Sequence, residues 1–194
     1  MKSSKMRETV FQIFRSFQVS RRRYDLLVAV ALLAFALGGC GVIGMGGKSV
    51  DDQQATLRQR PDIEQISARY EQMQAEVRDR LTAEIGGLAW VNDDNESRSG
   101  CGFDFSDVHE GESRLLARWT ALGNLPDARW DDAVAIVQEI TGEYGFGTPE
   151  VVLDRPGNHR IVVPDSYGGT LNFGTSVNTI LRMYTGCHLP PSGS

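Results

Sequence analysis

Five titratable side chains fall within nine residues: Asp104, Asp107, His109, Glu110 and Glu112. An imidazole among carboxylates is the raw material of a metal site or of an acid–base pair. Here no HxH, HExxH or CxxC spacing accompanies it, and His109 is one of only three histidines. The cluster therefore reads first as an acidic surface turn, with a metal site or an acid–base pair as the alternative. Asn92-Asp93-Asp94-Asn95-Glu96 is rich in the oxygens that calcium prefers, but lacks the alternating ligands and central glycine of an EF-hand loop. It reads as a solvated acidic loop. His159 lies beside a turn and His188 follows Cys187, neither with a nucleophile at a recognisable spacing. Ser166-Tyr167-Gly168-Gly169 is not a GxSxG elbow. No catalytic residue, metal or cofactor is assigned. Trp90, Trp119 and Trp130 are the candidates for lining a ligand cleft, although aromatic residues on amphipathic elements more often fill a core.

One thiol has a clearer chemistry. An unbroken apolar run from Leu26 to Leu37 follows Arg21-Arg22-Arg23 and ends in Leu37-Gly38-Gly39-Cys40. Basic flank, apolar stretch and small residues describe a secretory signal peptide. With cysteine as the next residue, the stretch resembles the lipobox of bacterial lipoproteins, whose cysteine thiol is diacylated before the leader is cut away. Residues 1–39 are thus expected to be a leader. Cys40 is expected to hold the chain at the outer face of the cell membrane through its diacylglyceryl group. The apolar run is shorter than the roughly 20 residues of a membrane-spanning helix. At about 0.8 kcal/mol per buried methylene, two acyl chains make a stable anchor. Ser20-Arg21-Arg22-Arg23-Tyr24 partly resembles a twin-arginine export signal, with Asp25 out of pattern.

The leader holds seven of the 20 basic residues and two of the 25 acidic ones, so the remainder carries 13 against 23 and a net charge of −10. That balance argues against nucleic-acid partners and against adsorption to anionic headgroups. With Cys40 lipidated, Cys101 and Cys187 remain as a pair in an oxidising compartment and are expected to form a disulfide. Closing a loop of this length contributes about 4 kcal/mol in the chain-entropy model.

These residues need elements to position them. Residues 40–60 read as a glycine-rich, polar tether. From Pro61, the stripe Ile63, Ile66, Tyr70, Met73, Val77, Leu81 and Ile85 predicts an amphipathic helix stopped by Gly86-Gly87. Short strands are expected at 88–91, 101–105 and 114–121. Trp130, Val134, Val137, Ile140 and Tyr144 mark a second helix. Hairpins follow, around Arg155-Pro156-Gly157-Asn158 and Gly174-Thr175-Ser176. The order predicts an α+β domain over 61–189: a two-layer sandwich of an antiparallel sheet covered by two amphipathic helices. Residues 190–194 form a polar tail.

Taken in order, the lipobox, Tyr70-Glu71, Arg80-Leu81-Thr82-Ala83, Trp90 before Asp93-Asp94, and the late cysteines Cys101 and Cys187 resemble the LppA-type lipoproteins of mycobacteria and related actinobacteria. The leader is longer than that family's pattern and the loop from Trp90 to Cys101 shorter. The resemblance implies a surface lipoprotein with an α+β domain, and supplies no catalytic residue. The expected role is binding of an apolar ligand or an envelope protein. A cell-wall or lipid-acting enzyme using the cluster around His109 is the alternative.

Overall fold

The computed structural model describes residues 49–93 and 95–193. The leader, the twin-arginine stretch and Cys40 lie outside the described residues, as does the first part of the expected tether. Among the described residues, no helix is long and apolar enough to cross a membrane.

Helix α1 spans Val50–Leu57, α2 spans Ile63–Glu84 and α3 spans Trp130–Glu143. The strands are β1 Trp90–Asn92, β2 Ser97–Gly100, β3 Glu112–Leu115, β4 Trp119–Leu122, β5 Glu150–Arg155, β6 Asn158–Pro164, β7 Thr170–Thr175 and β8 Asn178–Tyr184. The eight strands make one antiparallel sheet in the order β1-β4-β8-β7-β6-β5, with β2 and β3 attached through the far end of β8. The fold is α+β, as the order of elements predicts.

Periodicity explains α2. Its stripe Ile63, Ile66, Tyr70, Met73, Val77 and Leu81 is at most 1% exposed throughout. Asp62 caps the helix: its Oδ1 accepts from Gln65 N at 2.8 Å, and Gln65 Oε1 accepts from Asp62 N at 3.2 Å. Such a reciprocal cap contributes on the order of 1 kcal/mol. The helix ends at the Ile85 cap, and Gly86 takes a φ of 79° that favours glycine.

Alternation explains the hairpins. Ile161 and Val163 on β6, Leu171 and Phe173 on β7, and Leu181 and Met183 on β8 point to one side and are buried in the core with α2 and α3. The intervening residues point away from it. Beyond this core, Thr175 and Thr179 share a hydroxyl–hydroxyl bond of 3.0 Å and are tied to Leu125 N and Gly123 O. They fasten the chain between β4 and α3 to the sheet end.

Three expectations are corrected. First, the tether does not run to residue 60. Ser49 Oγ caps α1 by accepting from Asp52 N, and Leu57 is 1% exposed in a small cluster with Val108 and Cys187. One buried leucine and two docking glutamines fix this helix, too little to register as a stripe. Second, Cys101–Phe105 is not a strand. The strand lies earlier, at β2, and Phe103–Phe105 is a 3-10 turn with Phe103 at φ 51°. Cys101 is instead bonded to Cys187, with 5.5 Å between their Cα atoms. The pair sits on Gly111, where a Cβ would come within 2.6 Å of Cys101 Sγ. Third, the continuous strand expected over 114–121 is two strands. Leu116 and Ala117 are both buried, which breaks the alternation. β4 then pairs with Asn178–Leu181 of β8, while β3 meets only Tyr184.

The docked α1 makes a prediction. Leu57→Ala should lower the unfolding free energy by about 2–4 kcal/mol, the range for a buried leucine. A shift near zero in urea denaturation would return residues 50–57 to the status of a tether.

Candidate functional site

Both long helices cover the same face of the sheet, and among the described residues no helix covers the other face. In register across it run Arg160, Gly174, Ile180 and Thr120 on β6, β7, β8 and β4, with Val162, Asn172 and Arg182 one pleat further on. Gly174 has no side chain to raise the floor. A Cβ there would stand 2.9 Å from the His159 carbonyl oxygen and 3.3 Å from Arg160 Cβ. The result is an open basin of about 400 Å³, within the range of small-ligand sites.

The basin is basic in an acidic domain. Arg160, Arg182 and Arg118 contribute to its wall. Arg118 is paired with Asp93 across the sheet edge. Arg182 lies 5.2 Å over the Tyr184 ring, and its buried Nε has no hydrogen-bond partner among the described residues. Asn158 and Asn172 add amides, Ile180 an apolar patch. The chemistry this supports is recognition of oxyanions and hydroxyls, since guanidinium forks and amides are donors matched to them.

The tryptophans lie elsewhere. Trp90 Nε1 donates to Thr82 Oγ1 of α2 at 3.2 Å. Trp119 lies under the Arg78 guanidinium of the same helix, 3.3 Å from its ring centre. Trp130 is buried between His159 and Phe173, stacked at 5.0 and 5.3 Å. The three indoles pack the helix layer onto the sheet and share no cleft.

The acidic cluster is spread by its partners. Asp107 Oδ2 accepts from Gln53 and Glu110 Oε1 from Gln54, so both hold α1. Glu112 pairs with Arg114, which also grips Glu64. His109 is exposed. Among the described residues no three His, Cys, Asp or Glu side chains converge as metal ligands.

A second polar cluster has no motif in the sequence. Asp165 accepts from the backbone of Tyr167 and Gly169 and from the Tyr70 hydroxyl. Burial first, then this bond, raises Tyr70 well above the usual phenol range. Arg60 donates to the carbonyls of Tyr167 and Cys187 and lies over the Phe105 and Tyr167 rings. His188, fully buried, hydrogen-bonds the Pro61 carbonyl through Nδ1 at 2.8 Å. The cluster joins the start of α2, the β6–β7 turn and the chain end, and is closed to solvent at Tyr70 and His188.

The comparisons fit this frame. The family model described as "LppA: Lipoprotein confined to pathogenic Mycobacterium" matches residues 44–191. The chain belongs to the LppA lipoprotein family. The crystal structure of the lipoprotein LppA from Mycobacterium tuberculosis superposes with a TM-score of 0.61 at 17% identity, covering 73% of this chain and 87% of that one. A DUF4853 family protein from Actinomyces odontolyticus ATCC 17982 gives 0.52 at 22% identity, with 71% and 74% covered. At such identities these two carry the fold alone. No curated protein matches. The LppA family match begins before Pro61, in agreement with a domain that includes α1.

The two buried histidines titrate in opposite directions. Burial lowers His159, but hydrogen bonds to Asp127 and Asp154 outweigh it and leave its pKa above the ordinary 6.5. Its stabilisation is complete below 6.5 and fades as pH rises through the raised value. Burial holds His188 below 6.5. Its unfolded form gains a proton first, so stability falls as pH drops below 6.5 toward the depressed value. Urea midpoints measured against pH should therefore lose their alkaline slope in His159→Gln and their acid slope in His188→Gln. Unchanged slopes in both variants would contradict these assignments.

Proposed function

We propose that this chain is a lipid-anchored protein of the outer face of the cell membrane, held by a diacylglyceryl group on Cys40, and that it acts by binding rather than by catalysis. The observation that carries the reading is the sheet face that no described helix covers. A sheet whose strands alternate cleanly needs cover on its apolar side only. Its other side is free to present fixed side chains on a rigid frame. Arg160, Asn172, Ile180 and Arg182 stand on adjacent central strands, where backbone pairing fixes their spacing. The family's lipoprotein character supports the anchor, as does the Leu37-Gly38-Gly39-Cys40 stretch. The ligand or protein partner would meet the domain on this face.

Two measurements test the reading. Labelled palmitate fed to the cells should be incorporated into the protein and lost in Cys40→Ser. Label retained in that variant, or none in the parent, would remove the lipid anchor from the account. A cysteine placed at Asn172 should react readily with maleimide in purified protein and be protected on intact cells. A control cysteine at exposed Glu139 on α3 should react equally in both. Equal labelling of the Asn172 site on cells and in solution would contradict an occupied face.

A further inference from the structure

We infer that the basin takes an anionic oligosaccharide, with acid groups spaced along a polyhydroxy chain. This inference rests on the binding reading above and names its ligand class. The charge pattern is the first reason. A domain whose net charge is strongly negative repels polyanions as a whole, yet Arg160, Arg182 and Arg118 stand together on the sheet face that no described helix covers. Arg118 is neutralised by Asp93. Neither Arg160 nor Arg182 makes an ion pair among the described residues.

Spacing is the second reason. Arg160 is in register with Ile180 through Gly174, and Arg182 is two residues beyond Ile180. From the strand separation and the rise per residue, their Cα atoms are about 12 Å apart. Two arginines could share one anion across that distance, but Arg182 is drawn over the Tyr184 ring, one pleat further along β8 from Ile180. Two acid groups on neighbouring sugar units are suited to that separation. The third reason lies between them. The floor offers Gly174, where a sugar ring meets no side chain, the Ile180 side chain for its apolar face, and Asn172 and Asn158 amides for its hydroxyls. The basin's volume suits a di- or trisaccharide. The unpartnered Nε of Arg182 is a donor still to be satisfied.

The test uses the full-length lipoprotein purified in mild detergent, titrated by calorimetry. The carboxylated probe is trigalacturonate and the phosphorylated one a maltotriose phosphorylated on each glucose; maltotriose is the neutral comparison and inorganic phosphate the single anion. At least one anionic trimer should bind, with maltotriose and phosphate at least about tenfold weaker. Arg160→Gln and Arg182→Gln should each weaken binding about tenfold, the worth of one charge-assisted hydrogen bond. Arg129→Gln, on the helix side, should leave it unchanged. Thermal unfolding of each variant separates lost binding from lost fold. Binding of neither trimer overturns the inference, as does binding indifferent to Arg160 and Arg182. If the Asn172 site is nevertheless protected on cells, the face still binds and only the ligand class fails. If protection is absent too, both readings fail. Which trimer binds distinguishes a uronic-acid glycan from a sugar-phosphate one.

Discussion

The period-two alternation along β6, β7 and β8 decides both faces of this molecule at once. Ile161, Val163, Leu171, Phe173, Leu181 and Met183 go to the helices, and Arg160, Asn172, Ile180 and Arg182 go to the other side. A slip of one residue in any of these strands would bury a guanidinium or the Asn172 amide on the helix side and expose a core residue. The register is therefore held by the cost of that exchange, and the same constraint that forms the core fixes the spacing of the basin.

The rest of the structure protects that sheet. Asp62 and Gln65 start α2, and the Arg60, Asp165 and His188 cluster locks its beginning to the β6–β7 turn and the chain end. The Cys101–Cys187 bond holds the β2–β3 extension against the residues after β8. Helix α1 closes over the disulfide through Leu57, so the point where the chain enters the domain is packed and not trailing. Polar residues in this region that look suited to chemistry, such as Asp107 and Glu110, hold that helix.

Much of the fold was legible in the sequence because it follows simple periods. The α2 stripe and the β6–β8 alternation each repeat often enough to be read directly. Helix α1 was not legible: its one buried leucine gives no periodicity, and the glutamines that dock it look like ordinary solvated residues. The 3-10 turn at Phe103 was hidden for a different reason, since Phe-Asp-Phe imitates strand alternation while the disulfide and Gly111 dictate the local path. The basin is not legible in the sequence because its signal is relational. Arg160, Gly174 and Arg182 are unremarkable singly and acquire meaning only in register across three strands. The tryptophans stand out by type, yet their rings serve the helix layer.

The most direct measurement is of the purified protein labelled with nitrogen-15 and titrated with envelope extract from cells that make it. The account predicts that shift changes concentrate on the Asn172 side-chain amide, the Arg160 and Arg182 Nε–H groups and backbone amides near Gly174. Changes centred on the solvent faces of α2 and α3, with β6–β8 silent, would contradict it.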